Sequence, residues 1–128
     1  EPLGARLAAG QANPAHTGRM KQILADVQSS ADSLELDTLS EMHTELHSLI
    51  FEMTGNSYLI AMAIPMVKRG QWLLRQKAPL RMPEAWSEHH WLIAAIESGD
   101  PELAEAAARH HVLSVRSRIQ RQLDAQNR

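Results

Sequence analysis

The chain has 128 residues, of which 44% are hydrophobic and 22% charged, and its formal net charge is −2 at pH 7. This length and composition are typical of one globular domain, and the negative charge argues against direct binding to nucleic acid. Because the chain has no cysteine and no apolar run of about 18 residues, disulfide frameworks, thiolate metal sites and membrane-spanning helices are excluded.

The first residues indicate where the chain belongs in a larger protein. It begins Glu-Pro-Leu, without a methionine, and this start reads as the middle of an element. We therefore expect residues 1–128 to form a single domain at the C-terminal end of a longer protein. The absence of cysteine is compatible with a reducing compartment, and we expect a cytoplasmic location.

Apolar residues recur at spacings of three and four along most of the chain, and no strand pattern competes with them. The pattern predicts an all-α fold, an antiparallel bundle of about six helices joined by short loops. The approximate predicted ranges are 1–10, 17–31, 37–53, 58–77, 84–98 and 101–121.

Local residues predict where several helices begin and end. Thr17 is the predicted N-cap of the second helix, and Asn56 or Ser57 that of the fourth. Gly99-Asp100-Pro101 predicts a tight turn with Gly as the C-cap, Asp as the N-cap and Pro at the first helical position. The segment Tyr58–Val67 is apolar on almost every side, so we expect the fourth helix at the centre of the bundle or at an interface, with a kink at Pro65.

The third predicted helix carries two histidines. His43 and His47 are four residues apart, so both imidazoles project on the same side, at the edge of the apolar stripe. Two such imidazoles can chelate one metal ion if other helices supply further ligands. The pair is not the zinc-protease motif HExxH, because Glu45 does not directly follow the first histidine.

The last two predicted helices carry a second pair. His89 lies ten residues before Gly99, and His111 lies eleven residues after Asp100. At about 1.5 Å of rise per residue, both stand about 16 Å from the turn, side by side on antiparallel neighbours. His90 and His110 fall toward the flanks of their helices.

If the third helix packs across this pair, four histidines converge: His43, His47, His89 and His111. Neutral imidazole binds zinc, nickel, copper or iron, and of these we expect zinc or nickel. Glu88 or another acidic residue is the predicted partner for a ring N–H of one ligand. The alternative is that each histidine is a hydrogen-bonded core residue, which is the commoner role for a single histidine on an apolar face.

Three segments together resemble a known family. They read His47-x-x-Leu/Ile…Thr54-Gly55-Asn56, then Glu88-His89-x-x-Leu92-x-x-Ala95-Ile96-x-x-Gly99-Asp100, then Ala104 and His111-Val112. This ordered set is similar to the FCD domain, the C-terminal effector-binding domain of FadR-type regulators in the bacterial GntR family. The resemblance spans essentially the whole chain.

The resemblance implies an all-helical bundle, usually dimeric, that follows an N-terminal winged helix-turn-helix domain not contained in this chain. Many members hold a divalent metal through one Asp and three His and bind a small organic acid beside it. The three histidines correspond to His47, His89 and His111, and the Asp corresponds to His43. This departure leaves two expectations open: His43 is the fourth ligand, or the site has three histidines and more open positions.

A carboxylate effector calls for a cation near the metal, and Lys68, Arg69 and Arg75 are the candidates. Trp86 and Met62 are candidates to line the pocket. Another role is commoner for each candidate: a basic residue at a helix end is usually solvated, and core packing is the commoner role for Trp86 and Met62. The segment Tyr58–Val67 is either a dimer face or simply the central helix.

Three functions fit these observations. The leading hypothesis is a sensor that binds a small carboxylate at a His-held metal and controls an attached DNA-binding domain; DNA would be contacted only through that domain, and no membrane is expected as a partner. The alternatives are a metalloenzyme that activates water for hydrolysis, or a bundle with a purely structural metal. We expect no enzyme, because the chain shows no nucleophile–base arrangement and no glycine-rich phosphate loop.

Overall fold

A computed structural model describes residues 1–30, 32–76 and 83–126, apart from the side chains of Leu74, Gln76 and Ala85. The described residues form six α-helices and no strand, so the predicted all-α class is confirmed. The helices are α1 (Pro2–Ala9), α2 (Pro14–Ser30), α3 (Leu36–Met53), α4 (Ser57–Gln76), α5 (Pro83–Glu97) and α6 (Pro101–Gln126). The predicted helix ends at Ala31 and Lys77 lie outside the described residues. Among the helices described, none is long and apolar enough to cross a membrane.

The turn between α5 and α6 follows the prediction. Gly99 has a φ of 74°, a left-handed conformation that glycine adopts without a steric cost. The Leu103 amide donates a hydrogen bond to Asp100 Oδ1 at 3.0 Å, so Asp100 caps α6. Asn56 caps α4 in the same way, through the amide of Leu59.

The predicted N-cap of α2 is wrong. The helix begins at Pro14, and Asn13 Oδ1 accepts a hydrogen bond from the amide of Ala15 at 2.9 Å. Thr17 lies one turn inside the helix, where it is buried. Proline favours the first helical position because it lacks the amide hydrogen that would be unpaired there, and this preference outweighs the capping tendency of Thr17.

Helix α3 lies against α1, α2 and α4, and α6 packs against α1 and α5. Leu39, Leu46 and Ile50 of α3 are fully buried in the apolar core between these helices. Gly4 of α1 lets that helix approach α3 closely, because a Cβ atom added there would lie 2.7 Å from Cε1 of Phe51. This close approach brings Glu1, the residue directly before α1, to the face of α3 that carries the histidines.

Helix α4 packs against α3 at the outside of the bundle, so the expectation of a central position is wrong. Its side chains Tyr58, Met62 and Met66 are 84%, 68% and 64% exposed. They are spaced four apart and form one exposed apolar stripe along the helix, and Met66 at the end of the stripe also lines the cavity described below. The helix is continuous through Pro65. Whether the stripe is an interface stays a prediction.

Candidate metal centre

Four histidines from three helices meet inside the bundle. Helix α3 contributes His43 and His47, one turn apart, while α5 contributes His89 and α6 contributes His111. Each of the four is at most 4% exposed. His90 and His110, their sequence neighbours, are exposed. The structure therefore brings together the four histidines that the sequence selects.

The distances between ring nitrogens suit ligands of a single ion. His47 Nε2 lies 3.0 Å from His89 Nε2 and 3.3 Å from His43 Nε2. One ring nitrogen from each of the four histidines lies within 4.8 Å of all the others. Nitrogens bound at about 2.1 Å to one ion stand about 3.0–3.4 Å apart at ligand angles of about 90–109°. The histidine cluster therefore could hold a divalent metal ion.

Glu88 orients one of these rings. His111 Nδ1 lies 2.9 Å from Glu88 Oε2, where an N–H donates to the carboxylate. The proton on Nδ1 leaves the Nε2 lone pair free for a metal ion. Glu88 is itself held by Ser114 at 2.5 Å and by Arg118 at 2.9 Å. Burial raises the pKa of Glu88, but the hydrogen bonds from Arg118, Ser114 and His111 lower it to about 2, so the carboxylate stays charged.

Glu1 orients a second ring, and sequence reasoning missed it. Its Oε1 lies 2.7 Å from His47 Nδ1, and its side chain is 15% exposed. Burial raises the pKa of this carboxyl, but the interactions with His47 and His111 lower it by more than burial raises it. The net pKa is therefore below its ordinary value. The chain gives no signal for this contact, because 46 residues separate the partners and only the packing of α1 on α3 joins them.

Burial favours the neutral form of three of the four histidines. It lowers the pKa of His43 and His89 well below the ordinary value of 6.5, and the neighbouring histidines lower it further. The pKa of His111 is also lowered by burial and by His47, although Glu1 and Glu88 oppose that change. Only the neutral ring offers a lone pair to a metal, so these three rings are ready to bind one near neutral pH.

Trp86 lies behind the histidines. Its ring meets the ring of His43 edge-on, with 5.3 Å between the ring centroids. The ring of His89 is tilted relative to that of Trp86, with 5.7 Å between the centroids. The side chain is 6% exposed and belongs to the apolar core. Its position shields one side of the cluster from water.

A cavity of about 470 Å³ opens on the other side of the cluster. His43, His47 and His111 form its floor, and its polar lining also includes Glu1 and Gln71. The apolar lining comes from α1, α3, α4 and α6: Leu3, Phe51, Leu59, Ala63, Met66, Val67, Val112 and Val115.

The basic residues selected from the sequence lie elsewhere. Lys68, Arg69 and Arg75 are exposed, and none of them lines the cavity. Arg75 forms an ion pair with Asp37 at the start of α3. Gln71 is the polar side chain that α4 turns inward. It stands four residues after Val67 and eight after Ala63, on the same side of the helix. This spacing is the sequence signal that predicts an inward position for Gln71.

Comparisons with known proteins agree with the fold. The family model described as the FCD domain matches residues 1–114, which is most of the chain. No curated protein matches the chain significantly.

Proposed function

The chain belongs to the FCD family, and from that premise we propose that it is the effector-sensing domain of a GntR-type transcription regulator. The observation that carries this proposal is the position of the cavity. A small molecule that enters it meets His43, His47 and His111, the residues that would hold a metal ion. Effector and metal would therefore share one site.

We propose that the ion is zinc or nickel. Four imidazole nitrogens are borderline ligands that suit zinc, nickel or copper better than magnesium or calcium, which prefer oxygen. The histidines are neutral ligands, so the ion keeps its two positive charges. An anion that enters the cavity would be attracted to it, and a small carboxylate is the simplest organic anion that can bind such an ion.

A sensory role requires that the ligand bias the arrangement of the helices. The cavity is walled by α1, α3, α4 and α6, so a bound molecule contacts four elements at once. Leu3 and Gly4 place α1 in that wall. If the DNA-binding domain is joined ahead of α1, a ligand that favours one position of α1 would shift the arrangement of that domain, provided its affinity differs between the two states.

The carboxylates favour sensing over hydrolysis. A hydrolytic metal site needs a general base beside the ion. In the described part of the chain, the two carboxylates that contact the histidines are Glu1 and Glu88, and each accepts a hydrogen bond from an imidazole Nδ1. They orient ligands and are not poised to take a proton from water.

We also propose that the domain forms a homodimer through α4. Tyr58, Met62 and Met66 make an exposed apolar stripe one side chain wide along this helix. The same stripe on a second copy would cover it symmetrically. Light scattering should give the mass of a dimer, and Tyr58→Lys together with Met62→Lys, two stripe residues outside the cavity lining, should give that of a monomer. Leu113→Lys on α6 is the control that keeps the dimer.

The metal-dependent sensor is tested by thermal unfolding of the domain with and without zinc, in the presence of a panel of organic acids. A ligand that binds only the folded, metal-loaded protein raises its melting temperature and leaves the metal-free protein unchanged. We expect at least one acid to behave in this way. Acids that stabilise neither form, or both forms equally, would contradict the proposal.

A further inference from the structure

The cavity also specifies the kind of acid. We propose that the effector is a monocarboxylate with an apolar body, whose carboxylate is held jointly by the metal ion and the amide of Gln71. This inference rests on the proposed function, since it assumes that a carboxylate binds at the metal. It depends on two further observations: a buried amide beside the histidines, and the chemistry of the cavity wall.

Gln71 is built into the site. Its side chain is 6% exposed, lines the cavity and lies beside His43. Its Oε1 atom is buried, as is Nδ1 of His43, and neither atom has a partner at full hydrogen-bonding geometry in the described structure. Gln71 also interacts with the ring of His43, which favours Oε1 as the acceptor for the N–H of that ring. The amide NH2 group is then the donor that remains for a carboxylate oxygen of a ligand.

The amide takes the place of the cation expected from the sequence. Lys68 and Arg69 flank the same part of α4 but are exposed, and Arg75 is paired with Asp37. Among the described lining residues there is no lysine or arginine, and the acidic side chain is Glu1. The metal ion therefore supplies the positive charge for one carboxylate, and a neutral donor assists it.

The rest of the wall is apolar. Leu59, Met66 and Val67 of α4 face Val112 and Val115 of α6 across the cavity. Parts of this wall are open to solvent, since Met66 is 64% and Val112 is 39% exposed. A second carboxylate that lies along the wall would lose hydration without gaining a basic partner among the described lining residues, which is unfavourable. A hydrocarbon body, by contrast, is stabilised because its own apolar surface and that of the wall are removed from water. The volume of about 470 Å³ is within the usual range for small-molecule sites.

Isothermal titration of the zinc-loaded domain with octanoate and with suberate tests the inference. These two acids have the same chain length and differ by one terminal carboxylate. We expect octanoate to bind at least about tenfold more tightly than suberate, because only suberate brings a second charge against the apolar wall. Equal or tighter binding of suberate would overturn the inference.

Two substitutions locate the effect. Gln71→Leu should weaken octanoate binding by about tenfold and leave the zinc content unchanged, because a hydrogen bond to a charged group is lost while the metal ligands remain. If Gln71 only supports His43, zinc content will fall and the octanoate affinity of the loaded fraction will not.

Val112→Arg places a cation in the wall and should narrow or reverse the preference for octanoate. Leu113→Arg is the matched control, because Leu113 is the next residue in the chain and lies outside the cavity lining. This variant should leave the preference for octanoate over suberate unchanged.

Citrate separates this inference from the proposed function. Zinc-dependent binding of citrate that is tighter than that of octanoate would overturn the apolar monocarboxylate and still support a metal-dependent acid sensor. Failure of all three acids to bind the zinc-loaded domain would count against the sensor itself and the inference with it.

Discussion

His89 Nε2 lies 3.0 Å from His47 Nε2, although 42 residues separate the two histidines in the chain. Neither nitrogen has a carboxylate as its partner; each faces the other ring. One N–H···N hydrogen bond could join this pair, but His47 Nε2 also lies 3.3 Å from His43 Nε2 and has a single lone pair for the two contacts. A metal ion accepts a lone pair from each of the three nitrogens, so both contacts are explained together if these atoms are ligands of one ion.

The first prediction concerns which histidines hold the metal. His89→Ala and His111→Ala should abolish metal retention, because each removes a buried ligand that no described side chain replaces. His90→Ala and His110→Ala are the matched controls, since each removes an exposed imidazole next to a ligand. Metal content after gel filtration is the measurement. An equal loss of metal in all four variants would contradict the prediction that His89 and His111, and not their sequence neighbours, face the metal site.

The second prediction concerns His43, the position that the resemblance to the family assigns to an Asp ligand. His43→Ala should lower zinc affinity and leave a three-histidine site. His43→Asp should retain a metal but move its preference toward manganese, because a carboxylate is a harder ligand than imidazole. Competition titrations with zinc and manganese measure the change, and His16→Asp on α2 is the control. An unchanged preference in His43→Asp would mean that this residue is not a ligand.

The third prediction concerns the orientation of His111. Glu88→Gln replaces the charged partner of His111 and Arg118 with a neutral one. Loss of such a partner typically lowers metal affinity by about 10–100-fold, so we expect a decrease in this range. Glu84→Gln changes an exposed residue one turn earlier in α5 and should have no effect. The zinc dissociation constants of the two variants, measured side by side, decide the matter.

The fourth prediction concerns the pH dependence of the metal-free domain. Burial lowers the pKa of His43, His89 and His111 below 6.5, so the unfolded chain binds more protons than the native one below that pH. The free energy of unfolding should therefore fall as the pH falls below about 6.5, by up to about 1.4 kcal/mol per pH unit for each group. Denaturant titrations between pH 7 and pH 5, with chelator present, measure the slope.

A substitution separates this effect from general acid destabilisation. His89→Gln removes one of the buried groups and should make the decrease shallower, although the variant starts from a lower stability. His90→Gln removes an exposed group and should leave the slope unchanged. A slope that is the same in all three proteins would show that the buried histidines are not its cause.

The fifth prediction concerns the close packing of α1 on α3. Gly4→Ala places a methyl group 2.7 Å from the Phe51 ring, which is itself buried, so the free energy of unfolding should fall by about 1–3 kcal/mol. Gly18→Ala on α2 meets no atom within 4 Å and should stabilise the helix by about 0.5–1 kcal/mol. Urea unfolding of both variants provides the comparison. An equal change in the free energy of unfolding of the two variants would mean that α1 can move away from Phe51 without a cost in stability.

The features that sequence reasoning found are those that local periodicity determines. The matched distances of His89 and His111 from the turn at Gly99-Asp100 placed the two rings together, and the structure has their centroids 4.5 Å apart. Helix spacing alone fixes such a pair, because a tight turn holds neighbouring helices in register. The convergence of His43 and His47 follows from helix periodicity, because residues four apart lie on the same side of one helix.

The features that it missed depend on packing between distant segments. Glu1 reaches His47 only because α1 approaches α3 at Gly4, and no local pattern encodes that approach. The apolar composition of α4 predicts a central position or an interface, because composition cannot distinguish a helix covered by its own bundle from one whose apolar stripe is left exposed. The basic residues Lys68, Arg69 and Arg75 follow from a different premise, that a carboxylate effector calls for a cation. None of them is a lining residue of the cavity, where Gln71 stands.

We propose that four histidines hold one divalent metal ion in this domain, and elemental analysis of the purified protein together with native mass spectrometry tests this proposal. We predict about one equivalent of zinc or nickel per chain, lost with a chelator and restored on addition of the metal, with a small carboxylate retained beside it. A protein that contains no metal and cannot be loaded with zinc or nickel would contradict the claim.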